Sequence, residues 1–75
     1  MSADNFISVR KFGEKDYRWG NFSDSCDYKS GIWPDDSEFN SKSFESEEEA
    51  LDNAYSDLMI VEYGHYPDDK ETWGF

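Results

Sequence analysis

Cysteine occurs once, at Cys26, which excludes an internal disulfide framework and fits a reducing cytoplasm, the compartment expected for this chain. No run of 18 apolar residues is present, so no membrane-spanning helix is expected. No basic-then-apolar leader follows Met1, so secretion is not expected either. Leu, Ile, Val and Phe together supply only 13 of 75 residues, and the net charge is −11. Both values lie where disorder competes with folding. Glycine-rich phosphate loops are missing. With a single histidine, His65, a Ser-His-Asp or Cys-His arrangement has only one residue to use, and "GHYPDD" reads as a turn. A chain this short has little interior in which to raise a carboxylate pKa beside a substrate. An enzyme is therefore not expected.

Aromatic residues offset the shortage of aliphatics: three Trp, five Tyr and six Phe. Each can bury roughly 150–250 Å², and disordered chains are usually poor in them. A single folded domain over residues 1–75 with an aromatic core is expected, near the lower size limit for unaided folding.

Its elements follow from periodicity. "NFISVRKF" (5–12) alternates as a strand, with Ile7 and Val9 on one face and Phe6, Ser8, Arg10 and Phe12 on the other. "GEKD" supplies a turn, and "YRWGNFS" (17–23) returns, so residues 5–23 form a hairpin. Residues 24–43 are polar, carry Pro34 and read as a long acidic loop, within which a short third strand fits at 38–44. Ser46 and Glu49 make a capping box. Leu51, Ala54, Tyr55 and Leu58 then mark one face of a helix over 46–58, with Ala50 at its edge. "MIVEYG" opens a final strand over 59–66, and residues 67–75 form a tail. The order ββ(β)αβ gives an α+β fold: a small antiparallel sheet of three to four strands with one amphipathic helix. Trp19, Phe22, Tyr55 and Tyr63 are assigned to the core, whereas Trp33 and Trp73 are harder to bury.

Charge is unevenly distributed. Residues 1–18 carry +1, but residues 19–75 carry three bases against fifteen acids. Acids in a first helical turn complement the macrodipole, which accounts for one or two of Glu45, Glu47, Glu48 and Glu49. It does not account for Asp52, for Asp24, Asp27, Asp35, Asp36 and Glu38 in the loop, or for the acids of the tail. A domain of this size is about 30 Å across, and duplex DNA presents about 18 charges over such a span. The chain holds 18 acids. These carboxylates, with Trp33 among the loop acids, are the expected partner-binding surface, suited to a groove built for phosphates.

Other chemistries fit less well. Asp36, Glu38, Asn40 and Glu47 fall at positions 1, 3, 5 and 12 of an EF-hand-like loop, but Ser41 stands where the sharp turn needs glycine. Cys26 and His65 are too few for zinc. No metal or cofactor is expected. Arg10, Lys11, Lys15 and Arg18 interleave with Tyr17 and Trp19, yet the field of the remaining chain repels polyanions, so direct nucleic-acid binding is not expected. Those bases either pair with the protein's own acids or form a second contact surface.

The chain is short, poor in cysteine, acidic and aromatic-rich, and it sets "SFESEEEALDNAYSDL" ahead of a final strand. In this it resembles small bacteriophage proteins that inhibit host machinery, among them anti-CRISPR and anti-restriction DNA mimics and small inhibitors of RNA polymerase. The resemblance rests on composition and the β-then-helix layout of residues 5–63 and transfers no individual site. It implies an inhibitor that occupies the basic groove of a host nucleic-acid-binding enzyme. The alternatives are a protein-docking factor anchored by Trp33 or by Arg10 and Arg18, and an accessory protein or weak cation-binding module.

Overall fold

The computed structural model describes residues 4–74, so the two ends of the expected domain, residues 1–3 and 75, lie outside the described residues. Strands β1 (Asn5–Gly13) and β2 (Asp16–Ser23) form an antiparallel hairpin. Phe6 stands opposite Phe22, Ser8 opposite Gly20, Val9 opposite Trp19 and Arg10 opposite Arg18, and the register shifts between Lys11 and Gly13. Helix α1 (Glu47–Asp57) follows a long connection that contains a π-helical turn, Asp24–Tyr28, and a short 3₁₀ turn, Asp36–Glu38. The molecule is a flattened body of 32 × 29 × 18 Å.

Because side chains alternate across a strand, the hairpin carries a separate cluster on each face. Ile7, Val9 and Trp19 pack against Ala50 and Ala54 of α1, with Tyr17, Phe44, Leu51, Leu58 and Val61 around them. On the other face Phe6 and Phe22 meet Phe39 and Trp73, flanked by Phe12, Tyr28, Trp33 and Tyr66. The second cluster is almost wholly aromatic. Phe6 stacks on Tyr66 at 4.1 Å between centroids and meets Trp73 edge-on at 5.2 Å. Such pairs add about 0.5–1.5 kcal/mol each beyond their buried area. Two thin cores, one per sheet face, replace the single aliphatic core that this composition cannot build.

The third and fourth strands of the expected sheet are present only as single bridges. Phe44 and Tyr17 exchange backbone hydrogen bonds of 2.8 and 2.9 Å on the outer edge of β2. Residues 59–66 run beside β1 in the parallel sense, where Ile7 N–H donates to Gly64 and Tyr66 N–H donates to Ile7. Gly64 sits at φ +70°, a left-handed conformation that interrupts an extended chain and favours glycine. The segment thus flanks the sheet without continuing as a strand.

The helix begins where the sequence places it. Ser46 Oγ accepts the N–H of Glu49 at 3.2 Å. The Glu49 carboxylate accepts from the N–H of Glu45, one residue ahead of the cap, also at 3.2 Å. The buried stripe, however, is rotated relative to the Leu51–Tyr55 expectation. Ala50 and Ala54 are fully buried, and Tyr55 is exposed. Two alanines let the helix approach the sheet closely, and the rotation brings Asn53 Oδ1 within 3.0 Å of the Trp19 indole N–H. That partly buried donor needs a partner. Tyr63 is likewise exposed, and Trp73, judged hard to bury, is core.

Gly20 is required by contact rather than by conformation. A Cβ there would lie 2.5 Å from two atoms of the buried Phe22 ring and 3.3 Å from the Glu38 carbonyl. Gly20→Ala is expected to cost about 1–3 kcal/mol through overpacking, read as a lower urea midpoint with an unchanged slope.

Candidate acidic interface

The expected acidic surface is divided by the sheet. Glu45, Glu47, Glu48, Glu49 and Asp52 belong to α1 and its cap, over the Ile7–Val9 face. Asp24, Asp27, Asp35, Asp36, Glu38 and Trp33 belong to the segment that packs on the Phe6–Phe22 face. The two sets are therefore carried by segments that pack on opposite faces of the sheet, and they come nearest at the groove where Glu47 and Asp68 both stand.

The loop set is largely used within the molecule. Asp24 is only 4% exposed. Its Oδ1 accepts the Tyr66 hydroxyl at 2.8 Å, and Lys29 Nζ lies 3.3 Å from Oδ2. Asp24 is thus corrected from a surface contact to an internal anchor: the last residue pair of β2 delivers it into the aromatic layer, where a hydroxyl and an ammonium compensate its charge. Asp24 in turn raises the Lys29 ammonium above its ordinary value by hydrogen bonding. Asp27 is half-buried and accepts the N–H of Ser23 at 2.7 Å. Glu38 accepts the N–H of Asp35 at 2.7 Å. The Ser37 hydroxyl donates to Asp35 at 2.8 Å and holds that carboxyl below the usual range.

Arg10 organises this layer. It lies mid-strand and is 8% exposed, opposite a second arginine. Like charges directly across a sheet repel, and each is met by its own acid. Arg18 pairs with Asp16 at 3.0 Å and covers the Phe12 ring. Arg10 grips Asp68 through two hydrogen bonds of 2.9 Å, reaches Asp36 at 2.8 Å and donates to the Pro34 carbonyl at 2.9 Å. Its guanidinium lies 4.9 Å from the Trp33 ring centroid and 4.4 Å from that of Phe39. Burial works against the charge, but the hydrogen bonds it donates to Asp68 and then to Asp36 outweigh it and lift the guanidinium above its ordinary value. The sequence placed Arg10 on the Phe6 face and offered pairing with the protein's own acids, which Asp36 and Asp68 supply; which acids, and the burial of the pair among aromatic rings, were not indicated. Trp33 is half-buried against Trp73, at 5.5 Å between centroids.

The helix set is different. Glu48 and Asp52 lie one turn apart on the outer face of α1, exposed, with Glu49 beside them and Glu45 just ahead. Among the described residues, no lysine or arginine pairs with any of the four. Glu47 turns toward the sheet edge, 3.9 Å from His65 Nε2. That separation is too long for a hydrogen bond, so Glu47 does not fix the imidazole tautomer. Both border an open groove of about 540 Å³ with Lys11, Tyr17 and Asp68, the last already committed to Arg10. Among the described residues no group of three or more His, Cys, Asp or Glu side chains is placed to hold a metal. Among the described residues, too, no helix is long and apolar enough to cross a membrane.

The Tyr66–Asp24 contact carries a pH signature. Burial, and then the hydrogen bond to Asp24, push the Tyr66 phenol up to about 12. An unfolded tyrosine titrates near ~10. A raised value means that this contribution is whole below pH ~10 and is lost as pH rises towards the folded value. Tyr66→Phe is expected to lower stability at pH 7 and to flatten the fall between pH ~10 and ~12, measured by urea unfolding across that range.

Comparison of the chain with protein-family models, curated proteins and solved structures finds no match.

Proposed function

We propose that the protein is an acidic inhibitor that docks on the basic groove of a nucleic-acid-binding enzyme and denies that groove to DNA or RNA. The reading rests on one observation: Glu45, Glu48, Glu49 and Asp52 stand exposed without a lysine or arginine partner among the described residues. They do so in a chain whose residues 19–75 hold fifteen acids and three bases. Unneutralised charge of this density destabilises a small domain by self-repulsion, and a cationic partner relieves it. The contact surface is the helix layer alone, because the loop carboxylates are engaged with Arg10, Lys29, serine hydroxyls and backbone. The same engagement removes Arg10 from the protein-docking alternative, since a guanidinium held by Asp36 and Asp68 is not free to anchor a partner.

In this reading the protein acts as a small phage-type antagonist of a CRISPR effector, a restriction nuclease or a related host enzyme, in the bacterial cytoplasm. The chemistry is steering and occupancy. The carboxylates attract a lysine- and arginine-lined channel at long range and then displace the counter-ions that phosphates would displace. A pull-down from bacterial lysate at low and high salt, with mass spectrometry of the eluates, tests it. The expected result is a nucleic-acid-binding protein captured at low salt, released at high salt and competed by duplex DNA. Capture that ignores both salt and DNA would contradict it.

A further inference from the structure

Four large side chains at the C-terminal end of α1 and in the segment after it face solvent. Met59 is 100% exposed and Ile60 64%, and Tyr55 and Tyr63 are each nearly half exposed. Isolated exposed apolar residues need no explanation, but a cluster does. Tyr55 lies in the last turn of α1, before the extended Leu58 that leads into Met59 and Ile60, and its hydroxyl reaches within 3.6 Å of where a Cβ on Gly64 would stand, so it crosses from the helix to the segment at the residue after Tyr63. Asn5 holds the intervening chain. Its Nδ2 donates to the Ile60 carbonyl at 2.7 Å, its Oδ1 accepts the Glu62 N–H at 3.1 Å, and its carbonyl accepts the Tyr63 N–H at 3.0 Å. The apolar side chains are thus displayed on a segment pinned to the sheet and kept out of both cores.

The border of this patch is anionic. Asp52 and Asp57 approach it from the helix and Glu62 from the segment itself, all exposed. Lys29 lies within electrostatic reach of Tyr63 but is held by Asp24. We infer that Tyr55, Met59, Ile60 and Tyr63 form a docking surface for a partner protein that presents an apolar side chain within a ring of lysine or arginine. Charge complementarity selects that occupant: a second copy would bring an equally acidic rim against this one, and like charges across an interface are costly. Tyrosine and methionine suit the centre of such a contact, with the charges at its rim. The inference rests on the acidic-surface reading for the basic character of the partner, and it adds an apolar anchor beside the carboxylates of α1.

Two synthetic peptides of equal length and charge test it, one of leucine and lysine forming an amphipathic helix and one with serine replacing leucine. Binding is measured by fluorescence anisotropy at low and high salt. The intact protein is expected to bind the leucine–lysine peptide about 10-fold more tightly than the serine–lysine peptide, as one desolvated apolar anchor provides. Met59→Ser with Ile60→Ser is expected to erase that preference and leave the salt-dependent remainder. Both residues are exposed, so the melting temperature is expected to stay unchanged. Equal binding of the two peptides by the intact protein, or a preference that survives the double substitution, overturns the inference. If the preference is absent while binding still falls with salt, the acidic-surface reading stands and the apolar anchor fails. Preference without any salt dependence overturns the acidic reading and, with it, the basic ring of this partner. Sedimentation is expected to show a monomer; a dimer abolished by the same substitutions would assign the patch to a second copy and overturn the inference.

Discussion

Arg10→Met is expected to destabilise the fold by about 3 kcal/mol, the lower end of what breaking a buried ion pair costs. The magnitude follows from what each partner keeps. Asp68 retains 16% side-chain exposure and is left a poorly solvated charge, whereas Asp36, at 72%, returns to water with little penalty. The stacking of the guanidinium on Trp33 and Phe39 is also lost; it is worth about 0.5–2 kcal/mol, and methionine replaces part of it by dispersion. Small domains have about 5–15 kcal/mol in total, so the loss is a large fraction of the whole. Adding Asp68→Leu to Arg10→Met removes the stranded charge and is expected to recover most of the stability, because an apolar pair can replace a buried ionic one. Urea unfolding of the two variants decides it. An unchanged midpoint in Arg10→Met would mean that residues 33–36 and 68 are not tied to the sheet through this side chain.

The second large effect concerns binding. Glu48→Lys, Glu49→Lys and Asp52→Lys together are expected to weaken partner affinity by about 100-fold or more, a modest share of what close charge pairs across an interface can couple. The fold is expected to survive. All three side chains are exposed, and among the described residues the one side-chain hydrogen bond at risk is that from the Glu45 N–H to Glu49. The reversals also bring the net charge from −11 to −5, which relieves self-repulsion. A control lies on the loop: Asp35→Lys with Glu38→Lys, two reversals against three, is expected to change affinity less than ~3-fold, since these carboxylates are engaged by Ser37 and by the Asp35 N–H and lie outside the proposed contact surface. Equal losses from both variants would return the interface to a helix-plus-loop surface.

What could be read from the sequence was local. The hairpin came from period-two alternation, which also sorted Ile7 and Val9 from Phe6, Ser8, Arg10 and Phe12 correctly. The helix came from Ser46 and Glu49, whose cap involves residues three apart. What could not be read depends on pairs far apart in the chain. Tyr66 meets Asp24 across 42 residues and Asp68 meets Arg10 across 58, so neither the burial of Asp24 nor the clamp was visible in either segment alone. The rotation of α1 goes with a hydrogen bond from the Trp19 indole to Asn53, 34 residues on, and with the close seating of Ala50 and Ala54 on the sheet. Composition revealed how many acids there are, but not that the sheet would stand between two groups of them.

The most direct measurement is a competition titration on the captured partner: labelled duplex DNA bound to it, displaced by increasing concentrations of this protein across a salt series. Displacement is expected to be complete, with an apparent affinity that falls steeply as salt rises and that is lost with the triple lysine variant. A partner that holds the DNA and this protein at the same time, or that binds the triple variant as well as the native chain, would contradict the claim that the carboxylates of α1 take the place of phosphates.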